Sequence, residues 1–183
     1  PQHDGVRMGA LVGKSQCQDV LDQVAHIERE AQMVFGSKTP PALLGAEAKQ
    51  GAFLQPMLFR SDQPHEAMAV HEIEAFGPVS TMMPYDDVEE AVALTGRGKG
   101  SLCCSITTND QEAAKTFVRE AAHMHGRILV LNAECAKEST GHGSPMPLLV
   151  HGGPGRAGGG EEMGGLRGIK HYMQRTAIQG HPS

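Results

Sequence analysis

Apolar residues recur at helical spacing from Val20 through Val24, Ile27, Ala31 and Val34, which predicts an amphipathic helix capped by Ser15 with Gln18 three residues on. Gly36 and the Pro40-Pro41 pair end that element and open a loop. From Gly51 to Arg60, the residues Phe53, Leu54, Met57, Leu58 and Phe59 read as extended, and Pro56 confines the segment to a bend or an edge. The pattern then alternates. Val79 to Tyr85 predicts a strand; Asp86, with Glu89 three residues on, caps a short helix bearing Val88, Val92 and Leu94. Ser101 to Thr108 predicts a second strand, and Asn109 or Asp110 caps a longer helix carrying Ala113, Ala114, Phe117, Val118, Ala121 and Met124, closed by Gly126. Arg127 to Asn132 predicts a third strand whose unbroken apolar run suits burial on both faces. Strand-helix-strand-helix-strand implies an α/β fold with a largely parallel sheet flanked by helices. Ligands of such sheets gather outside the carboxyl ends of the strands, here Tyr85, Thr108 and Asn132.

Composition narrows the function classes. A chain of 183 residues is long enough to bury a real core. No apolar run approaches the ~20 residues of a membrane span, and the first residues lack the basic start and apolar core of a secretion signal. A formal charge of −5, scattered Lys and Arg and the absence of Trp argue against a nucleic-acid surface. Four cysteines at irregular positions, without a CxxC pair, fit free thiols in a reducing cytoplasm better than a disulfide framework or a zinc site.

Two segments carry candidate chemistry. The run H-E-I-E-A-F-G-P-V from His71 to Val79 sets a carboxylate, an aromatic ring and a Gly-Pro turn side by side, a grouping able to grip a ribose and flank a flat ring. The plainer alternative is a buried strand entry with a tight turn. From Ala133 to Gly168 the chain is so rich in glycine that no regular element runs through it. Because ordering glycine is entropically costly, an ordered version must serve close backbone approach, tight turning or oriented amides. Gly153, Gly155 and Gly158 match the G-x-G-x-x-G spacing of phosphate-binding turns, but no convincing strand precedes them and no acidic residue follows about twenty positions on. A disordered linker and a shaped, irregular wall of an active site are the other two readings.

The residues His151 to Gly164 reproduce the glycine spacing of the late aldehyde dehydrogenase motif F-G-G-x-K-x-S-G-x-G-R-E-x-G, with Gly152, Gly153, Gly158, Gly160, Glu162 and Gly164 on family positions. His151, Gly155, Ala157 and Glu161 depart from it, which leaves a backbone role intact and puts side-chain roles there in doubt. M-G-A-L-V at Met8–Val12, E-A-F-G-P-V at Glu74–Val79, the strand entry at Gly100–Leu102 and G-R-I-L-V-L-N at Gly126–Asn132 follow the family's order and spacing. The chain therefore resembles, nearly end to end, the C-terminal part of an aldehyde dehydrogenase catalytic domain. It is most similar to the dehydrogenase half of the bifunctional aldehyde dehydrogenase/enoyl-CoA hydratases of phenylacetate degradation.

This resemblance implies NADP or NAD as cofactor, with Glu74 on the nicotinamide ribose and Phe76 near the nicotinamide. It implies a small-molecule aldehyde as substrate, in that subfamily a ring-opened, CoA-linked semialdehyde. Residues 1–168 would be a partial catalytic domain and 169–183 an oligomerisation strand and tail, the strand near Tyr172–Gln179 joining a neighbouring subunit in a homo-oligomer. The family's nucleophilic cysteine lies in a G-Q-x-C segment that does not occur in these residues. That cysteine and the general-base glutamate are expected upstream, so no catalytic residue is assigned in this chain and the chain alone is expected to be inactive. The rival expectation is a non-catalytic oligomerisation or binding module with the same fold.

The remaining candidates are weaker. Cys103 and Cys104 point to opposite faces of a predicted strand and read as core; Cys17 reads as helix packing, and Cys135, beyond a strand end, as an ordinary thiol. His123, His125, His142 and His151 lack metal-ligand spacing and read as solvated, so no metal is expected. Asn132, His142, His151 and Arg156 are candidate substrate-pocket residues. The Arg156 guanidinium can meet a carboxylate or CoA phosphate, or form a loop salt bridge.

Overall fold

The computed structural model describes residues 3–139, 141, 152–158, 169–170 and 172–180. The chain divides into two compact units, one running to Pro84 and the other from Tyr85.

The first unit is built on helix α1 (Lys14–Ile27). Its buried stripe is Val20, Val24 and Ile27, spaced by four and three as the sequence requires, and it packs on Leu54, Met57 and Phe59. Two expectations shift here. The N-cap is Gly13, without a side-chain cap, because Ser15 already lies inside the first turn. The helix also stops at Ile27 rather than running to Val34, where the Arg29 and Glu30 amides turn back only three residues, to the His26 and Ile27 carbonyls. Ala31 still reaches the core, but Val34 belongs to strand β1 (Gln32–Phe35) and is exposed.

Strand β2 (Met57–Arg60) is the centre of a three-stranded sheet, antiparallel to β1 and parallel to β3 (Val79–Met82). Its period of two buries Met57 and Phe59. Pro56 sits one residue before this central strand, where its missing N–H costs no ladder bond. Gly36, at φ +93°, lets the chain pass the Pro56 carbonyl, which a Cβ would meet at 2.0 Å.

In the second unit, α3 (Val88–Gly96) is preceded by strand β3 of the first unit, after the short helix α2 (Ala69–Glu72). The cap of α3 is Asp87, one residue later than the spacing suggested: its carboxylate accepts the Glu90 amide while the Glu90 carboxylate accepts the Asp86 amide, a reciprocal box. Strand β4 (Cys104–Thr107), helix α4 (Gln111–Ala121) and strand β5 (Arg127–Leu131) form a parallel crossover, and β6 (Ala177–Gln179) adds parallel to β5. Asp110 caps α4 by accepting the Glu112 and Ala113 amides. Phe117 and Ala121 of α4 pack on Ile128 of the central strand β5, whose first three residues are buried.

Three of the four strand pairings among the described residues are parallel. The alternating pattern from Val79 onward does not form one sheet, however. β3 pairs with β2, and β4 begins a second sheet in the order β4-β5-β6. Local pattern fixes that a segment is a strand; its sheet is chosen by partners distant in sequence.

Candidate functional site

The Glu74–Val79 segment is an exposed loop pinned from two sides. Ile73, Ala75 and Val79 pack against the first core, while Glu74 and Phe76 between them are exposed. Both the carboxylate and the aromatic ring are thus presented to solvent from one short loop. Phe76 is 75% exposed and has φ +50°, the left-handed region that a bulky side chain rarely adopts. Its carbonyl accepts a hydrogen bond from Gln16 Nε2 at 2.9 Å, across 60 residues of sequence. The next residue must be glycine because a Cβ on Gly77 would meet Val20 Cγ2 of α1 at 2.6 Å. Beyond it, the Pro78 carbonyl accepts the Met57 amide, joining the loop to β2.

The residues before the loop are also held. The Glu30 carboxylate accepts the Met68 and Ala69 amides, supplying the start of α2 with the partners its own sequence lacks. His71 Nε2 lies 2.7 Å from the Pro64 carbonyl. Gln16 and Glu30 are supports of this loop that sequence reasoning missed, since each acts on a segment dozens of residues away and neither sits in a motif. Strain at an exposed aromatic, over-determined by neighbours, is the pattern found at binding sites. A ring and a carboxylate presented together fit a nucleotide's flat base and ribose hydroxyls.

The second unit contains the glycine wall. Gly100, Gly126, Gly153 and Gly155 lie where a Cβ would meet backbone: the Pro154, Gly152, Ser101 and Lys99 carbonyls respectively, at 1.7–2.3 Å. These glycines serve close approach of one chain segment to another. The G-x-G-x-x-G amides are already engaged, Gly153 N–H with the Gly158 carbonyl, Arg156 N–H with Lys99, and Gly158 N–H with Gly155. No row of free amides is left there to cradle a phosphate. Arg156 lies exposed in a short 3-10 turn, Gly155–Ala157. His142, His151, Gly160, Glu161, Glu162 and Gly164 lie outside the described residues.

At the carboxyl ends of β4 and β5 a cavity of about 470 Å³ is lined by Thr108, Asp110, Lys115, Asn132, Ile178 and Gly180 among others. Asn132 borders this cavity, with its Oδ1 occupied in accepting the Glu134 and Cys135 amides. Arg156 is not among the residues lining it. Glu74 and Phe76 belong to the first unit, Asn132 and Arg156 to the second.

The thiols are poorly suited to nucleophilic attack. Burial pushes the Cys104 thiol above its ordinary range, outweighing a hydrogen bond to the Ser105 carbonyl, and the neighbouring Cys103 adds to the rise. Cys17 packs on the first core and Cys104 on the second. Cys135 Sγ is tucked under the end of β5, 3.7 Å from the Val130 carbonyl and 3.5 Å from the Asn132 amide. The reading of solvated histidines fails at His125, which is only 3% exposed. Its Nδ1 lies 2.7 Å from Ser101 Oγ, which donates to the Cys103 carbonyl, so the Nδ1 proton points to Ser101 and Nε2 carries the lone pair. Among the described residues no group of three or more His, Cys, Asp or Glu is placed to hold a metal ion, and no helix is long and apolar enough to cross a membrane.

Residues 1–178 match the model of the aldehyde dehydrogenase family. The chain belongs to that family. It is 53% identical over 179 residues to Protein MaoC of Klebsiella aerogenes, covering 96% of this chain and 51% of that protein. To 3,4-dehydroadipyl-CoA semialdehyde dehydrogenase of Aromatoleum evansii it is 40% identical over 154 residues, covering 84% of this chain and 30% of the relative. The chain thus spans about half of the first relative and less of the second. Among solved structures, an aldehyde dehydrogenase from Bartonella henselae matches with TM-score 0.65 and 26% identity over 93% of this chain and 32% of that one. A mutant aldehyde dehydrogenase C from Pseudomonas syringae, in complex with NAD+ and octanal, matches with TM-score 0.66 and 25% identity over 87% of this chain and 30% of that one. The α/β architecture with parallel strands and flanking helices is therefore that of aldehyde dehydrogenase catalytic domains.

Proposed function

We propose that this chain forms part of an NAD(P)-dependent aldehyde dehydrogenase that oxidises a ring-opened, CoA-linked semialdehyde of aromatic-acid degradation to the carboxylic acid. The observation that carries the reading is the outward presentation of Glu74 and of the strained, exposed Phe76 from one pinned loop. The substrate class is supported by the relative named 3,4-dehydroadipyl-CoA semialdehyde dehydrogenase, and the phenylacetate setting by the resemblance of the sequence motifs. The Glu74 carboxylate accepts the ribose hydroxyls and Phe76 flanks the nicotinamide ring, so the chain's task is to place the hydride acceptor. When bound, NADP or NAD supplies that acceptor. Attack on the aldehyde needs a thiolate, and the packing of Cys17, Cys104 and Cys135 supports the reading that it comes from outside these residues. Asn132 and Arg156, with His142 and His151, contribute to the substrate side. A cytoplasmic homo-oligomer assembled through the region of Tyr172–Gln179 completes the proposal, supported by four free cysteines and by the edge position of β6.

The test is kinetic, on the full-length protein. Glu74→Gln keeps shape but weakens a charge-assisted hydrogen bond, so dinucleotide-dependent aldehyde oxidation is expected to fall roughly 10- to 100-fold. Unchanged cofactor binding and turnover would remove Glu74 from the site, and the absence of any dinucleotide-dependent oxidation in the wild type would make the chain a non-catalytic module.

A further inference from the structure

We infer that Gln16 is a positioning residue for hydride transfer, holding the Phe76 ring in place from the first turn of α1; the inference rests on the cofactor reading of Glu74 and Phe76. Gln16 Nε2 donates to the Phe76 carbonyl at 2.9 Å. That carbonyl belongs to the residue whose φ of +50° is unfavourable for a phenylalanine. Relaxing to an ordinary extended or helical conformation would rotate the peptide that follows residue 76 and swing its carbonyl away from Gln16. The hydrogen bond therefore opposes the relaxation directly.

Packing explains why Gln16 can do this. Gly77 approaches α1 so closely that a Cβ would meet Val20 Cγ2 at 2.6 Å, and Val20 is fully buried one helical turn beyond Gln16. The helix is thus a fixed reference surface. Val20 sets how near the loop comes, and Gln16 sets the orientation of its peptide. The ring itself is 75% exposed, so its direction is governed by the backbone, which Gln16 holds, rather than by side-chain packing. Gln16 is half-buried and sits outside both cores, so a polar replacement there does not disturb the fold.

The experiment uses the full-length protein with NADP or NAD as probe, and follows nicotinamide absorbance in a single turnover at saturating dinucleotide. Gln16→Glu keeps the length and removes the donor; Gln16→Lys keeps a donor. The expected result is that Gln16→Glu slows hydride transfer by roughly two- to tenfold, the range spanned by one net hydrogen bond. Dinucleotide Kd and thermal midpoint stay near wild type, and Gln16→Lys recovers most of the rate. Glu74→Gln and Phe76→Ala, measured in parallel, separate the two levels of the claim. If both of these impair the reaction and Gln16→Glu does not, the positioning role is overturned while the cofactor reading stands. If neither impairs it, the cofactor reading falls and takes this inference with it. A loss confined to Kd would make Gln16 a direct cofactor contact, and an equal loss in Gln16→Glu and Gln16→Lys would show that the donor is not what matters; either overturns the proposal.

Discussion

At the scale of single residues, His125 is the most exposed to solution conditions despite being buried. Its ring donates from Nδ1 toward Ser101 and leaves Nε2 with no hydrogen-bond partner, so a proton arriving at Nε2 has no acceptor. Burial accordingly pulls its pKa below the ordinary histidine value of about 6.5, and the charge of nearby His123 adds to the fall. A folded-state pKa below the unfolded one means that the unfolded chain binds the extra proton first. The stability contributed by neutral His125 is therefore complete above about pH 6.5 and is lost as pH falls from there toward the folded pKa. His125→Asn, which retains an N–H for Ser101 and cannot titrate, should show a flatter denaturation midpoint between neutral pH and pH ~5.5. Parallel profiles for the two proteins would show that His125 is not the titrating group. The contrast with Glu74 and Phe76 shows what sequence conveys at this scale. Their apolar neighbours Ile73, Ala75 and Val79 announce an alternation that faces them outward. The burial of His125 depends on Ser101, 24 residues earlier, and no local pattern encodes that pairing.

At the scale of elements, most segments were legible because periodicity and caps agree. Helix α4 is the clearest: Asp110 accepts the Glu112 amide at 2.9 Å and the Ala113 amide at 3.1 Å, while Thr108 Oγ1 accepts the Asp110 amide at 3.0 Å. Two of the four orphan amides of the helix are satisfied by one side chain. Asp110→Ala should cost about 1 kcal/mol in chemical denaturation, and Asp110→Asn, which can still accept both bonds, only a few tenths. Equal losses in the two variants would assign the effect to charge rather than capping. The elements misread at their edges fail for a physical reason. α1 seemed to continue to Val34 because Ala31 and Val34 happen to stay in helical phase, yet the chain turns after Ile27 and re-enters as β1. The turn is made by three-residue backbone bonds from Arg29 to His26 and from Glu30 to Ile27, and no glycine or proline marks it.

At the scale of the whole molecule, sheet membership is the least legible property, because a strand's partner is chosen by contacts far along the chain. β3 looked continuous with the pattern that follows it and instead pairs with β2; β6 returns from near the C-terminus to lie beside β5. What fastens β6 is the segment just before it. Thr176 Oγ1 donates within reach of the His125 carbonyl at 2.8 Å and of the Ala122 carbonyl, Gln174 Nε2 donates to the His125 carbonyl at 3.2 Å, and the Ala177 amide donates to Gly126. These bonds engage the carbonyls at the 3-10 turn Ala122–Met124 and just after it, where α4 has ended and the backbone lacks helical partners. Thr176→Val keeps the shape and removes the hydroxyl, leaving the Ala122 carbonyl and one of the bonds to His125 unmade. The loss should be about 1–3 kcal/mol of local stability. In hydrogen exchange, the β6 amides Ile178 and Gln179 should exchange roughly tenfold faster or more, while amides of β4 and α4 stay protected. If β6 exchange is unchanged in Thr176→Val, the strand is held by something other than its own β5. A concentration-dependent protection of the same amides would then place it in the sheet of a second copy, the arrangement expected for an oligomerisation strand.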